Sequence, residues 1–287
     1  VRFSTDDGSV EMISSLLWDL GTTGIVEVDG VLLAGFDDRA SADAVAERAA
    51  NWPATVLGVE PSAWAGTDET TTVVIGPTEG DDAGRVEGDG RASAASRTLS
   101  IVAGPTFGHG GHPTTALALD LLISAIADRR PTPAGAGAGP RVLDVGTGSG
   151  VLAIAAATLG AGPVVGVDID ADAVVVARDN ADRNGVEVLV TDDTVDGAAN
   201  LVEDRRFDIV VANLLLPVHR RLAPTIAGVL GPGASLITAG YLIADGPELI
   251  GCHRRAIDGV GPGPVTVAAE ERRGDWLGHR FDLDPDR

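Results

Sequence analysis

Arg141-Val142-Leu143-Asp144-Val145-Gly146-Thr147-Gly148-Ser149-Gly150 leads from an apolar run into three alternate glycines, and Val164-Val165-Gly166-Val167-Asp168 follows after an apolar stretch. The first run reads as a buried parallel strand, and the glycines let the backbone bend sharply and approach a ligand with no Cβ atoms in the way. Leu152, Ile154, Ala155, Ala156 and Leu159 give the next segment the small apolar face of a helix starting near Ser149 and stopping at Gly160. The second strand, Val164 to Ile169, then brings the Asp168 carboxylate to the carboxyl edge of the sheet. There it can accept hydrogen bonds from both hydroxyls of a ribose, a charge-assisted contact contributing roughly 1.5–3 kcal/mol. A glycine turn followed by an acid ending the next strand is how an α/β sheet holds an adenosine.

The spacing separates two kinds of nucleoside. Dinucleotide sites use G-x-G-x-x-G and leave a helix N-terminus free for a pyrophosphate, whereas this chain has Gly146-x-Gly148-x-Gly150 with Asp144 two residues earlier. An extra carboxylate suits a cation. S-adenosylmethionine carries an ammonium and a sulfonium and no phosphate, so the turn favours a methyl donor over NAD. The glycines alone would also fit a plain strand-to-helix connection; Asp168 is what lifts the reading above that.

A chain of 287 residues, 44% of them hydrophobic, can bury roughly three quarters of its unfolded surface and hold one large domain with a small one. It has no uncharged apolar run of about 18 residues, and Val1-Arg2-Phe3-Ser4-Thr5-Asp6-Asp7 does not resemble a signal core, so a cytoplasmic location without membrane contact is expected. One cysteine, Cys252, excludes an intrachain disulfide and a cysteine-based zinc cage. Net charge is −21, and all 21 basic residues are arginine. Such a field repels phosphate backbones and attracts cations. A basic protein is therefore the expected partner and direct nucleic-acid binding is not, although genome composition or a salty cytoplasm would leave the same mark. Nothing in the residues fixes an oligomeric state.

Residues 1–75 read as a small α/β domain. Val10, Ile13, Leu16, Leu17 and Leu20 form a helical stripe, residues 24–36 a hairpin turning at Asp29-Gly30, Ala42 to Ala50 a second helix, and Ala54 to Val59 a strand. This alternation suggests a ferredoxin-like sandwich. Residues 76–98, rich in Gly, Asp, Pro and Ser, read as a linker, and 99–287 as the nucleoside-binding domain. Beyond Asp168 the expected elements are a helix from Ala171 to Arg183, strands at Glu187–Val190 and Phe207–Asn213, and a helix to Leu230 stopped by Gly231-Pro232-Gly233. A strand Ser235–Tyr241, a helix Asp245–Ala256 and a hairpin of Val265–Glu270 with Trp276–Leu283 complete the series. Five βα steps closed by a hairpin make a seven-stranded, Rossmann-like class I methyltransferase sheet.

Two more segments carry a resemblance. Phe107-Gly108-His109-Gly110-Gly111-His112-Pro113-Thr114-Thr115 precedes a leucine-rich helix, and Asn213-Leu214-Leu215-Leu216-Pro217 ends the fourth strand. With the glycine turn, they resemble the bacterial PrmA family, which methylates ribosomal protein L11: its F-G-T-G-x-H-P-T-T, D-x-G-x-G-S-G-x-L-A-I-A-A and A-N-I-L are recognisable here in order. The resemblance implies S-adenosylmethionine as methyl donor, a small N-terminal domain that positions the ribosomal protein, and donor contacts at Thr115, Gly146, Asp168 and Asn213, with Gly148 and Phe107 in the same motifs. Thr115 opens a helix, where its hydroxyl and free backbone N–H groups can meet a carboxylate. Asn213, the candidate catalytic residue, offers an acceptor to an ammonium or an incoming amine. His109 stands where the family has threonine. His109 and His112 have a metal-like spacing, but the five histidines form no obvious third ligand, so no metal is expected.

No aromatic follows Asn213, unlike the N-P-P-Y of enzymes that methylate planar amides or flipped bases; a flexible aliphatic amine, a lysine side chain or an N-terminal amino group, is the expected acceptor. Three alternatives stay open: another protein or small-molecule amine as substrate, a nicotinamide oxidoreductase, and a module that binds the donor without turnover.

Overall fold

The computed structural model describes residues 2–4, 17, 24–28, 31–35, 44–45, 54–55, 70–75, 97–102, 112–129, 139–260 and 265–285. By its contacts the chain divides into Val1–Ala65 and Gly66–Arg287.

In the first unit, β1 (Arg2–Ser4), β2 (Gly24–Val28), β3 (Val31–Gly35) and β4 (Ala54–Thr55) form a sheet ordered β2-β3-β1-β4, every neighbour antiparallel. Leu17, between β1 and β2, and Val45, between β3 and β4, are helical and buried. Strand, helix, hairpin, helix, strand in this order is the ferredoxin-like arrangement. The remaining residues of the expected helices lie outside the described residues.

The second unit opens with β5 (Thr70–Ile75) and β6 (Arg97–Val102), paired antiparallel from Thr70↔Val102 to Ile75↔Arg97. This pairing corrects the division drawn from composition: residues 70–75 belong to the larger unit because their backbone partner is β6. Residues 76–96 lie outside the described residues.

There follow α1 (Pro113–Asp128), β7 (Val142–Val145), α2 (Val151–Thr158), β8 (Val164–Val167), α3 (Ala171–Asn184), β9 (Leu189–Thr191), α4 (Val195–Ala199) and β10 (Phe207–Asn213). Then come α5 (Leu216–Val229), β11 (Leu230–Leu242), α6 (Gly246–Asp258), β12 (Val265–Arg273) and β13 (Trp276–Leu283). The sheet order is β12-β13-β11-β10-β7-β8-β9, with β13 antiparallel to both neighbours and the other pairs parallel. This is the expected seven-stranded class I methyltransferase sheet.

Both faces are covered, which is why the central strands read as continuous apolar runs. Val142, Ile209, Val211 and Ile237 join one core with residues of α1 and α2; Leu143, Val210, Ala212 and Leu236 join the other with residues of α4, α5 and α6. Strand order reverses between β7 and β10, so the carboxyl ends of these two strands flank the crevice where α/β sheets bind ligands.

The Gly231-Pro232-Gly233 triplet does not separate a helix from a strand. It lies inside β11, which begins at Leu230 opposite Phe207 and shifts register before Ser235 meets Ile209. A second irregularity in β11 falls at Gly240, whose φ of 94° belongs to the left-handed region.

Two asparagines on α3 join β6 to the sheet. Asn180 accepts the Val102 N–H at 3.0 Å and donates to the carbonyls of Val102 (2.8 Å) and Ser149 (2.9 Å). One turn later Asn184 accepts from Ser100 N–H at 2.9 Å and donates to its carbonyl at 2.8 Å. Each side-chain amide thus pairs with a strand residue as another strand would.

Candidate functional site

Gly146, Gly148 and Gly150 all have positive φ, at 72°, 52° and 83°. Three such residues within five positions turn the chain from β7 into α2, a path that residues with Cβ atoms take only under strain. The N–H groups of Gly146 and Thr147 donate to the Val167 carbonyl at 2.8 and 3.0 Å, tying the turn to the end of β8. A Cβ on Gly166 would lie 2.9 Å from Thr147 Oγ1, so that glycine makes room for the turn.

Asp144 sits beneath the turn, wholly buried. Its Oδ2 accepts from the Thr147 hydroxyl at 2.7 Å and from the Ala153 N–H at 3.2 Å, while Oδ1 is buried without a partner. Burial pushes its pKa up to about 7, against the opposing pull of those two hydrogen bonds and with a further push from the Asp168 charge. The extra carboxylate of the motif therefore builds the turn rather than lying open upon it.

Asp168 follows β8 and is half-buried. Its Oδ2 accepts from Gly148 N–H at 2.9 Å and its Oδ1 from Asp170 N–H at 3.1 Å, so the carboxylate stands beside the turn with a defined orientation. Next to it Ile169 is 87% exposed. Ile169 was expected to end that strand, but β8 stops at Val167, which leaves an apolar side chain open on the rim beside Asp168. A flat purine ring matches such a surface. The signal was present in the residue type; its exposure was not.

Asn213 ends β10, and its Oδ1 is buried with no hydrogen-bond partner. Leu214 donates its N–H to the Ala239 carbonyl at 2.9 Å, and a Cβ on Gly146 would come within 2.5 Å of Leu214 Cδ2. The turn and the Asn213-Leu214 corner are therefore in direct contact. Leu214, Leu215 and Leu216 are half-buried, and Leu214 and Leu216 also pack on the core.

Thr115 opens α1 with a buried, unpartnered hydroxyl. The expectation of free backbone N–H groups at this helix end is corrected by His112. Pro113 has no N–H; Thr114 N–H donates to His112 Nδ1 at 3.3 Å, and those of Thr115 and Ala116 to the His112 carbonyl at 3.0 and 3.3 Å. The helix start is already satisfied by its own cap, leaving the Thr115 hydroxyl as the polar group without a partner. The His112 ring meets Trp276 edge-on, with centroids 5.1 Å apart. Trp276 pairs with Leu242 at the carboxyl end of β11, which sets the start of α1 on the same rim as Asn213. Phe107 and His109 lie outside the described residues.

Among the described residues no group of three or more His, Cys, Asp or Glu side chains could hold a metal ion, and no helix is long and apolar enough to cross a membrane. Two orphaned oxygens, those of Thr115 and Asn213, stand on a rim that also carries Asp168 and the positive-φ glycines. An acceptor-rich site of this kind fits a cationic nucleoside such as S-adenosylmethionine.

The family model described as ribosomal protein L11 methyltransferase (PrmA) matches residues 88–254, more than half of the chain. A ribosomal protein L11 methyltransferase of Sorangium cellulosum is 32% identical over 305 aligned positions, spanning 96% of this chain and 90% of that protein. One of Dechloromonas aromatica is 40% identical over 183 positions, 64% of this chain and 54% of that protein. Among solved structures, a ribosomal protein L11 methylase of Lactobacillus delbrueckii subsp. bulgaricus is similar at a TM-score of 0.49 and 27% identity, covering 62% of this chain and 81% of that one. The motifs at residues 144–150 and 213–217 fall inside the matched span, and on this match the chain belongs to the PrmA family of ribosomal protein L11 methyltransferases.

Proposed function

We infer that this chain is an S-adenosylmethionine-dependent N-methyltransferase acting on amino groups of ribosomal protein L11. Family membership supports the donor and the substrate, and the observation that carries the chemistry is the buried Asn213 Oδ1 without a partner at the end of β10. In this reading Gly146, Gly148 and Asp168 hold the nucleoside, Thr115 meets the amino-acid end, and Asn213 orients the attacking nitrogen. Phe107 is assigned to the donor side on its motif alone. Bound S-adenosylmethionine supplies a sulfonium methyl group open to displacement by a neutral amine, and the protein's contribution is to align the two and exclude water.

An amine must shed its proton before it attacks. A lysine with an ordinary pKa near 10.4 is neutral in only about one molecule in 2,500 at pH 7, an unfavourable contribution of roughly 4.6 kcal/mol. Leu214, Leu215 and Leu216 present half-buried apolar surface beside Asn213, where desolvation favours the neutral amine. The Asn213 carbonyl can then accept an N–H from that amine and aim its lone pair. Aliphatic residues in place of a stacking aromatic support a lysine side chain or an N-terminal amino group as acceptor.

The ferredoxin-like unit is proposed to recognise the ribosomal protein, whose basic character would complement a net charge of −21; the same charge disfavours nucleic acid as a direct substrate. A cytoplasmic location follows from that substrate. Transfer of tritium from labelled S-adenosylmethionine into purified bacterial L11, abolished in Asn213→Ala, is the expected result. Donor binding without transfer to L11 or any protein of a ribosomal extract would overturn the reading.

A further inference from the structure

We propose that His219 and His253, a buried pair beneath the carboxyl end of β10, are positioning residues that set Asn213 for catalysis; the inference rests on the role given to Asn213 above. His219 lies on α5 and His253 on α6, and both rings are wholly buried. His219 Nε2 is 3.1 Å from the Ala239 carbonyl. A carbonyl oxygen only accepts, so Nε2 carries the hydrogen. The same oxygen accepts the Leu214 N–H at 2.9 Å, and Ala239 is the residue opposite Asn213 in the β10–β11 pairing. One imidazole N–H thus reinforces the carbonyl that holds the chain where it leaves β10.

The tautomer of the second ring follows from the first. With its hydrogen on Nε2, His219 offers a bare Nδ1, which lies 3.2 Å from His253 Nε2. That nitrogen must therefore donate, and His253 Nδ1 is left as a lone pair, buried and without a partner. An orphaned acceptor costs stability that an apolar side chain would not. The ring is accounted for if its task is to lock His219 in the tautomer that grips Ala239. Tyr241 meets His219 edge-on at 5.6 Å and Phe281 lies against His253 at 6.1 Å, so both rings pack against aromatic neighbours.

Nor is there slack between this grip and the site. Gly240 has φ of 94°, and a Cβ there would lie 2.5 Å from the Leu214 carbonyl oxygen, so β11 and the Leu214 corner touch backbone to backbone. On its other side Leu214 fills the space a Cβ of Gly146 would need. A shift at Ala239 therefore reaches Leu214 and, one residue earlier, Asn213.

The test compares His253→Leu, His253→Gln and Asn213→Ala in steady-state methylation of purified bacterial L11, with S-adenosylmethionine affinity measured by calorimetry. His253→Leu removes the donor to His219 Nδ1; kcat is expected to fall about 100-fold, as for a misplacement of about 1 Å, and by much more than donor affinity weakens. His253→Gln, whose side-chain N–H can replace that of Nε2, is expected to recover most of the loss. Nitrogen-15 shifts of the parent imidazoles should show both rings protonated at Nε2. Parental kcat in His253→Leu, equal loss in both His253 variants, or a hydrogen on His219 Nδ1 would each overturn the proposal. If His253→Leu does not fold, the glutamine variant and the nitrogen spectrum decide. An inactive Asn213→Ala beside a fully active His253→Leu removes the positioning role alone, whereas a fully active Asn213→Ala removes the assignment of Asn213 and this inference with it.

Discussion

The backbone N–H of Gly148 donates to the Asp168 carboxylate at 2.9 Å, so the glycine turn after β7 and the acid after β8 are one hydrogen-bonded unit. Proteins that hold a ribose on a strand-end carboxylate need that group aimed before the ligand arrives, because orienting it on binding would subtract from affinity. Here one oxygen is held by the turn and the other by Asp170, and both stand at the sheet's rim.

Replacing Asp168 by Ala removes the acceptor proposed for the ribose hydroxyls and frees the Gly148 N–H. A lost charge-assisted contact of roughly 1.5–3 kcal/mol corresponds to a donor Kd about 10- to 150-fold weaker. Calorimetric titration with S-adenosylmethionine measures this. An unchanged Kd would take Asp168 out of the site.

Gly146→Ala places a Cβ at φ of 72° and 2.5 Å from Leu214 Cδ2. The left-handed conformation costs a residue with a Cβ roughly 1–2 kcal/mol, and the flexible end of Leu214 must move aside. Urea unfolding should register that loss. Because Leu214 adjoins Asn213, kcat for L11 methylation is expected to fall by more than stability alone explains. Activity equal to the parent would show that the contact transmits nothing to the acceptor side.

Asn180→Asp keeps the shape and the acceptor for Val102 N–H but removes the donors to the Val102 and Ser149 carbonyls. Losing two buried hydrogen bonds and placing a carboxylate against two carbonyl oxygens costs on the order of 1–3 kcal/mol or more, so the urea midpoint should drop clearly. Since Ser149 lies in the glycine turn, donor affinity should weaken as well. Retention of both would mean that water replaces the amide at no cost.

The Asp144 carboxyl, raised to about 7 in the folded chain by burial, gives a pH signature. Between about pH 4 and pH 7 the unfolded chain has released this proton and the folded chain still holds it, so this residue's contribution to stability declines as pH rises through that window. Asp144→Asn removes the titration. The difference in Tm between variant and parent should therefore grow in the variant's favour from pH 4 to pH 7, as differential scanning calorimetry would show. A difference that stays constant over that range would mean that Asp144 is ionised in the fold.

How much of this was readable beforehand depends on the distance over which each feature is decided. The apolar runs at 142–145, 164–167 and 207–213 are buried on both faces, and such strands announce themselves in their own composition, as do the intervening helices by their period. Positive φ at three alternate positions requires glycine, so the turn too was visible in the residues alone. From these the class I sheet follows directly, as does the place of Asp168 at the end of β8.

Features set by an approach between distant segments had no such mark. Thr70–Ile75 looked like the end of the small domain until β6 supplied its partner, and Gly231-Pro232-Gly233 looked like a break until Phe207 was found opposite Leu230. His112 closes the start of α1, Asp144 is buried under the turn, and His219 meets His253 across two helices that sequence separates by 34 residues. Local periodicity is a property of one segment, and residue type alone dictates it. A side chain's hydrogen-bond partner, its tautomer and its pKa depend on which surface packs against it, and only the folded sheet with its two helical layers decides that.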